Sequence, residues 1–286
     1  MQKVFLNGKF VPLKNAKVSI FDRGFLYGDG VFETMRSYNG RVFMLKEHID
    51  RLTIALKILK IKIPYNKIVL SKLVQKSVQI NKAHNAYVKL LVARGVGSTG
   101  IDLAPNQKPT ITIYTKKLNE VVYDKIRKKG LQVKFACISK NENSFTSRIK
   151  NLNYLNNILA RQEAREAGFD EAIFLNTKGF VAEAATSNIF MIKNGKVFTP
   201  PPTSGLLPGI TRHAVIGIIK KYTKNKLYEK NVTPTILLNA DELFLTNSGF
   251  EIIPVVKVGN TKIGKGKPGP FTKFIHALYK TEVENV

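Results

Sequence analysis

Apolar and polar residues alternate along the N-terminal part of the chain, and this period of two predicts β-strands. Residues 3–11 are centred on Asn7-Gly8, and residues 31–45 on Asn39-Gly40. Asn-Gly favours the two-residue turns that join antiparallel strands, so each range is predicted to form a β-hairpin. Residues 18–30 lie between them and are rich in glycine and aromatic residues. There we expect a loop that approaches another group closely.

From residue 46 the apolar period lengthens to nearly four, which predicts helices. Ile49, Leu52, Leu56 and Leu59 fall on one face of the first of them. The same reasoning predicts helices at 66–80, 152–167, 210–222 and 271–280, and strands at 87–92, 110–115, 131–139, 171–175, 180–182, 188–193, 196–199 and 242–246. Helices and short strands alternate without a regular repeat, which favours an α+β fold.

The stretch from 116 to 129 is polar and charged, and we expect a domain boundary at its beginning. A chain of 286 residues is long for one hydrophobic core and typical of two. We therefore predict a small N-terminal domain, residues 1–118, and a larger C-terminal domain, residues 119–286.

The composition indicates a soluble, cytoplasmic protein. Hydrophobic residues make up 44% of the chain, but no run is long enough to span a bilayer, and residues 1–8 lack the features of a signal peptide. The single cysteine, Cys137, cannot form an internal disulfide, which fits a reducing compartment. We expect no membrane partner and no metal site.

The formal net charge of +26 raises the alternative of a polyanion-binding protein that is not an enzyme. The lysines are spread along the whole chain, however, with neither a basic tail nor a concentrated arginine-aromatic block. A dispersed, solvated lysine surface is the simpler interpretation, so we do not expect a nucleic-acid partner.

Residues 95–100, Gly-Val-Gly-Ser-Thr-Gly, match the dinucleotide-binding pattern letter for letter. That pattern binds pyrophosphate only where its glycines lead into a helix. Pro105 and Pro109 follow so closely that a helix is excluded. We predict a loop near the substrate instead.

Lys150 stands just before a predicted helix. One of 46 basic residues is ordinarily a solvated surface group. Here Leu155, Ile158 and Leu159 predict that the following helix is buried, which would hold the lysine in place. A lysine fixed where it is partly desolvated loses proton affinity and can form a Schiff base with an aldehyde.

Glu183 lies in the apolar run Phe-Val-Ala-Glu-Ala-Ala. A buried carboxylate needs a cation, and a protonated pyridine nitrogen would provide one. The alternative is that Glu183 points outward from an edge strand.

Two turns could each bind a phosphate. Pro208-Gly209 precedes a predicted helix, whose first amides and the Thr211 hydroxyl can face an anion. Residues 246–249, Thr-Asn-Ser-Gly, can form a second concavity of amides after a strand. Arg51 could add bidentate charge, although an exposed ion pair with Glu47 is the simpler interpretation of that arginine.

Together these pieces resemble the class IV aminotransferases, the fold-type IV enzymes that use pyridoxal 5′-phosphate (PLP). The resemblance covers nearly all of the chain. It rests on motifs in the family's order, at 25–33, 48–52, 150–156, 183–188 and 207–212. It implies a two-domain α+β fold whose larger domain has a barrel-like β core, PLP as cofactor, amino-acid and 2-oxo-acid substrates, and a homodimer.

The resemblance also assigns roles to residues. It implies that Lys150 is the catalytic Schiff-base and proton-transfer lysine, that Glu183 pairs with the ring nitrogen and that Tyr154 contacts the ring hydroxyl. The other cofactor-binding residues that it implies are Arg51, Ser187, Asn188, Leu207, Ile210, Thr211, Asn247 and Ser248. The substrate-binding residues that it implies are Tyr27, Phe32, Thr34, Arg36, Tyr87 and Lys89.

Within the family, Tyr87 and the Arg94-Gly-Val-Gly segment resemble branched-chain transaminases, although Lys89 stands where those enzymes usually have arginine. The Arg-x-His clamp of D-amino-acid transaminases is missing from 97–102. We expect a transaminase of branched-chain or D-amino acids with a ping-pong Schiff-base mechanism, and an R-selective amine transaminase is a minor alternative.

The main alternative is 4-amino-4-deoxychorismate lyase, which makes p-aminobenzoate and pyruvate for folate synthesis. Thr34 stands where branched-chain enzymes usually have glycine, and the segment from Leu245, which contains Asn247-Ser248, replaces their Gly-Thr-Ala-Ala. Both features resemble the lyases.

Overall fold

The computed structural model describes residues 2–97, 100–103 and 107–284. They divide into two compact units. The first comprises the described residues up to Leu118 together with Ile149–Asn153, and the second comprises Asn119–Arg148 and the described residues from Tyr154 onward. The segment that carries Lys150 therefore belongs to the first unit, although it lies within the range predicted as the C-terminal domain.

The first unit is built on an antiparallel sheet. Its strands are β1 (Lys3–Leu6), β2 (Lys9–Pro12), β3 (Gly30–Tyr38), β4 (Arg41–Val42), β5 (Ala86–Ala93) and β6 (Thr110–Lys117), and its helices are α1 (Arg23–Tyr27), α2 (Leu45–Ile58) and α3 (Lys67–Ile80). In the described part of this unit the strand order is β2-β1-β6-β5-β3-β4. Both predicted hairpins form, and α2 and α3 pack on the sheet around a core that includes Met35, Leu52 and Val74.

The predicted loop at 18–30 contains a short helix, α1. The Asp22 side chain accepts a hydrogen bond from Gly24 N at 2.7 Å and caps the helix. Gly28 ends it with a left-handed backbone, φ 66°. In the predicted loop at 95–100, Ser98 and Thr99 lie outside the described residues.

The second unit is built on a mixed sheet. Its strands are β7 (Leu131–Phe135), β8 (Glu171–Leu175), β9 (Val181–Ala184), β10 (Asn188–Lys193), β11 (Lys196–Thr199), β12 (Leu227–Glu229), β13 (Glu242–Asn247), β14 (Glu251–Val258) and β15 (Thr261–Lys262). Its helices are α4 (Glu120–Lys129), α5 (Phe145–Arg148), α6 (Leu155–Glu166), α7 (Ile210–Tyr222), α8 (Pro234–Leu238) and α9 (Pro270–Glu284). Among these strands the order is β12-β11-β10-β13-β14-β7-β8-β9, with β15 paired to β14.

Parallel pairing occurs at three places in this sheet, β11 with β12, β14 with β7, and β7 with β8. Helices α7 and α9 pack on β13, and α9 also packs on β14, which places the start of α7 near the end of β13. None of the helices in the described ranges combines the length and the apolar character that crossing a bilayer would require.

Helix α6 differs from the sequence prediction in which of its faces is buried. Leu155, Ile158 and Leu159 are 64%, 57% and 45% exposed, whereas Ala160 and Ala164 are buried. The helix packs against β8, and the small alanines allow a close approach to the sheet. The prediction that the large apolar residues bury this helix is wrong for the single chain, because the alanine face fills that role.

Candidate active site

Lys150 lies in a segment that is hydrogen-bonded to β3. Phe32 N donates to Lys150 O at 2.9 Å, and Leu152 N donates to Gly30 O at 3.0 Å. The lysine side chain turns toward the sheet, so that Nζ lies 4.4 Å from the centroid of the Phe32 ring. Pairing with β3, and not the following helix, therefore fixes the position of this lysine.

A second lysine, Lys89, contacts the same ring. It lies on β5 opposite Thr34 of β3, and its Nζ is 4.2 Å from the Phe32 centroid. Burial lowers the pKa of Lys89, and the charge of Lys150 lowers it further. The Thr34 and Tyr87 hydroxyls lie 3.3 Å apart. The first unit thus brings Lys150, Phe32, Lys89, Thr34 and Tyr87 into one group that combines an aromatic ring, two amines and two hydroxyls.

The other two predicted substrate residues make different contacts. The Tyr27 hydroxyl accepts a hydrogen bond from Gly100 N at 3.0 Å. Arg36 is buried on β3 opposite Tyr87, and its guanidinium lies 4.6 Å from the centroid of the Tyr38 ring.

Glu33 binds both Arg51 and His48 in the interior of the first unit. Arg51 Nε donates to Glu33 Oε1 at 2.8 Å and Arg51 Nη2 to Oε2 at 2.6 Å, and His48 Nδ1 lies 2.7 Å from Oε2. The simple prediction that Arg51 pairs with Glu47 is therefore wrong. The reason is that β3 directs Glu33 toward the face of α2 that carries His48 and Arg51, three residues apart.

These contacts control the protonation of the cluster. Burial alone would raise the pKa of Glu33, but the adjacent Arg51 and His48 lower it to about 2. Burial lowers the pKa of His48 despite its bond to Glu33, and the charges of Arg51 and Lys150 act in the same direction. Neither Glu33 nor His48 is among the site residues predicted from the sequence. The available signal was a glutamate within the apolar strand β3, the same signal that selected Glu183.

Glu183 is buried on β9 and is surrounded by donors. Lys140 forms an ion pair with Oε1, while Asn188 Nδ2 and Leu207 N each donate to Oε2 at 3.1 Å. Asn188 Nδ2 also donates to Leu207 O at 2.9 Å. The alternative of an outward-facing glutamate is therefore wrong, although β9 lies at the end of the strand order. No feature of the local sequence indicates Lys140, which is distant from Glu183 along the chain.

The two predicted phosphate turns meet in the second unit. The Thr211 and Ser248 hydroxyls lie 3.4 Å apart, which joins the start of α7 to the turn after β13. The N-cap residue of α7 is Gly209, which has no side chain to accept from the first amides of the helix at Ile210 and Thr211. A Cβ added at Gly209 would lie 2.0 Å from Asn188 Oδ1, so glycine is required for this close approach.

The turn after β13 is held by Asn247. Its Oδ1 accepts hydrogen bonds from Gly249 N and Phe250 N, both at 2.9 Å, and its Nδ2 donates to Thr186 O at 3.1 Å. Asn247 therefore shapes the turn that carries the Ser248 hydroxyl.

The residues present fit pyridoxal 5′-phosphate. A carboxylate accepts about four hydrogen bonds; Glu183 receives three donors, from Lys140, Asn188 and Leu207, and can accept a ring N–H as well. Ser187 Oγ is buried, and within the described ranges it has no hydrogen-bond partner. Tyr154 is half-buried at the start of α6. The second unit thus contains groups suited to a ring nitrogen and to a phosphate.

Comparison with known proteins agrees with this chemistry. The family model described as class IV amino-transferase matches residues 30–258. The "Putative branched-chain-amino-acid aminotransferase" of Methanocaldococcus jannaschii is 42% identical, over 97% of this chain and 95% of its own length. The aminodeoxychorismate lyase of Bacillus subtilis is 36% identical, over 99% and 95%.

A solved structure gives the same result for the fold. The branched-chain amino acid aminotransferase of Escherichia coli superposes with a TM-score of 0.94 at 29% identity, covering 98% of this chain and 94% of that one. The predicted α+β, fold-type IV architecture and the resemblance read from the motifs are therefore confirmed. The chain belongs to the class IV aminotransferase family.

Proposed function

We propose that this protein is a PLP-dependent transaminase that moves an amino group from a branched-chain amino acid to a 2-oxo acid. The observation that carries the proposal is the fixed position of Lys150, an amine held against an aromatic ring in a group of polar side chains. The 42% identity to a relative named as a branched-chain aminotransferase supports the substrate class.

Lys150 would hold the cofactor through its amine, with loss of water from the cofactor aldehyde, and would take up and return the proton at the substrate α-carbon. When bound, the cofactor ring delocalises the negative charge that forms at that carbon. Phe32 packs beside the Lys150 amine and, because the Phe32 amide holds the Lys150 carbonyl, the lysine keeps one orientation.

Glu183 would accept a hydrogen bond from the ring nitrogen and would favour its protonated form. Asn188 and Leu207 N orient the carboxylate, and Lys140 balances its charge. Tyr154 donates to the ring hydroxyl, and Ser187, whose Oγ is buried, is a further candidate donor.

The amides of Ile210 and Thr211 and the hydroxyls of Thr211 and Ser248 would hold the phosphate. Arg51 adds positive charge. A guanidinium has five N–H donors, so its two bonds to Glu33 are compatible with a further bond to an anion. Asn247 acts on this site by shaping the turn.

The experiment adds single amino-acid donors, each as the L- and the D-enantiomer, to the PLP-loaded protein without an acceptor. A transaminase should release one 2-oxo acid per active site and convert the yellow cofactor to its aminated form. We expect this with L-leucine, L-isoleucine or L-valine. A yellow protein that is unchanged by every simple amino acid would overturn the transaminase proposal.

The second candidate is the aminodeoxychorismate lyase. The specific observation in its favour is the polar group formed by Lys89, Thr34 and Tyr87, because a cation beside two hydroxyls suits a substrate with an additional carboxylate. A 36% identical relative with this name supports it. Release of pyruvate and p-aminobenzoate from 4-amino-4-deoxychorismate would identify this activity.

We also propose a homodimer. On α6, Leu155, Ile158 and Leu159 form an exposed apolar stripe, and Phe25 and Ile20 are exposed in the first unit. Contiguous apolar surface of this kind is typical of interfaces between subunits. We place the protein in the cytoplasm because its one cysteine, Cys137, is an exposed thiol.

A further inference from the structure

Glu251 has an uncommon backbone conformation for its residue type. It begins β14 directly after the three-residue turn 248–250 and pairs with Asn247 of β13. Its φ is 68°, in the left-handed region that side chains other than asparagine and aspartate rarely adopt. Glycine is the usual residue at such a position of a hairpin. Gly249 lies only two residues earlier, yet the left-handed conformation occurs at Glu251 and not at the glycine.

The carboxylate of Glu251 is fully buried and is surrounded by basic side chains from two helices. His276 Nε2 lies 2.8 Å from Oε2 and Lys280 Nζ lies 3.5 Å from Oε1, both reaching from α9. Arg127 Nη1 of α4 lies 3.6 Å from Oε2. A buried carboxylate is retained only when cations and hydrogen bonds compensate it. The two cations, Arg127 and Lys280, and the His276 ring therefore hold the side chain, and with it the left-handed backbone.

The same cluster reaches the turn that carries Ser248. Arg127 Nη1 donates to Phe250 O at 2.9 Å, so one guanidinium contacts both the turn and Glu251. Asn247 Oδ1 in turn accepts hydrogen bonds from Gly249 N and Phe250 N. Phe250 is thus held through both its amide and its carbonyl, Gly249 is held through its amide, and the Ser248 hydroxyl lies 3.4 Å from that of Thr211.

We propose that Glu251 is a positioning residue for the phosphate of the cofactor: held by Arg127, His276 and Lys280, it fixes the turn 248–250 and so the Ser248 hydroxyl. This inference rests on the proposed function, because it requires Ser248 to bind the phosphate. Backbone strain combined with a buried charge is costly, and such strain persists where the surrounding structure maintains it at functional sites.

The test compares two ligands that differ only in the phosphate. Full-length apoprotein is titrated with pyridoxal 5′-phosphate and with pyridoxal, and the Kd of each is measured from the absorbance of the lysine adduct. Glu251→Gln keeps the side-chain shape and removes the charge. We expect Glu251→Gln to weaken binding of pyridoxal 5′-phosphate about tenfold, with less than a twofold change for pyridoxal.

Two controls calibrate this difference. Ser248→Ala removes the proposed phosphate contact directly and should produce the same selective loss. Glu142→Gln alters a buried glutamate that accepts hydrogen bonds from Thr177 elsewhere in the second unit, and it should leave both affinities unchanged.

If Glu251→Gln does not fold, Arg127→Met removes the bond to Phe250 O while keeping an apolar stem, and a smaller selective loss is expected.

The outcomes separate the two proposals. If the wild-type protein binds both ligands equally, or forms no adduct, the proposed function fails. If the wild type prefers the phosphorylated ligand and Glu251→Gln keeps that preference, the positioning role is overturned and the proposed function stands. An equal loss of affinity for both ligands would also overturn it, because the cluster would then support the fold in general.

Discussion

Glu33 holds the charged groups of the first unit together from a fully buried position. Its carboxylate makes two hydrogen bonds to Arg51 and one to His48. Removing one partner of such a cluster leaves an uncompensated charge in the interior. Glu33 is therefore expected to affect both the folding of the unit and the presentation of Arg51.

Glu33→Gln should destabilise the protein by about 3 kcal/mol at neutral pH, because Arg51 loses its buried counter-charge. Denaturant unfolding measures this loss. Glu47→Gln is the matched control: Glu47 lies on α2 near Arg51, and the change should cost less than about 0.5 kcal/mol. Equal losses in the two variants would contradict the assignment of Glu33 as the partner.

The contribution of the Glu33–Arg51 ion pair to the free energy of unfolding should depend on pH. The pKa of Glu33 is lowered to about 2 in the fold, so its contribution to stability is present above the ordinary glutamate pKa of 4.5. It is lost as the pH falls from 4.5 towards 2. The stability difference between wild type and Glu33→Gln should therefore shrink in that window, and a difference that grows there would contradict the mechanism.

At the scale of secondary-structure elements, α6 has two apolar faces with different roles. The alanine face packs on β8, whereas Leu155, Ile158 and Leu159 are exposed. Ile158→Lys should therefore shift the protein from dimer to monomer, which sedimentation measures. The monomer should remain folded, which circular dichroism measures. Thr281→Lys adds the same charge at an exposed position of α9 and should remain dimeric. A dimeric Ile158→Lys variant would remove α6 from the proposed interface.

Helix α7 contains a glycine that its structure does not require. A Cβ at Gly217 would meet no atom within 4 Å, and its φ is not in the left-handed region. Gly217→Ala should stabilise the protein by about 0.5 to 1 kcal/mol, since alanine loses less backbone entropy in a helix. Gly8→Ala is the contrasting change: Gly8 has φ 98°, so the hairpin should be destabilised. Equal effects of the two substitutions in denaturant unfolding would contradict this argument.

Elements governed by local chemistry were predictable from the sequence. Asn7-Gly8 and Asn39-Gly40 form their hairpins because the turn preference acts over two residues. The buried face of α6 was not predictable, because periodicity identifies the apolar faces of a helix but does not show which neighbouring element covers each of them. Ion pairs such as Lys140 with Glu183 join distant positions, and the sequence offers many equivalent lysines. Family motifs predicted the candidate site residues, and the structure adds Glu33 and His48 beside Arg51 and Lys140 beside Glu183.

At the scale of the whole molecule, the net charge of +26 produces self-repulsion. Salt screens charges that are separated by more than about 10 Å at 0.1 M. We expect the melting temperature to rise by a few degrees as sodium chloride is increased to about 0.5 M. A fall with added salt would show that attractive surface ion pairs outweigh the repulsion.

The charge does not by itself imply a polyanion partner. We propose that the basic surface serves solubility, and we expect the purified protein to retain no nucleic acid at low salt. Retained nucleic acid in a colourless preparation would favour the binding-protein alternative.

The most direct test of the central claim is to reduce the PLP-loaded protein with borohydride and to map the modified peptide by mass spectrometry. We predict a single phosphopyridoxyl group on Lys150, and none in Lys150→Ala. Labelling of another lysine, or of none, would contradict the assignment of this site.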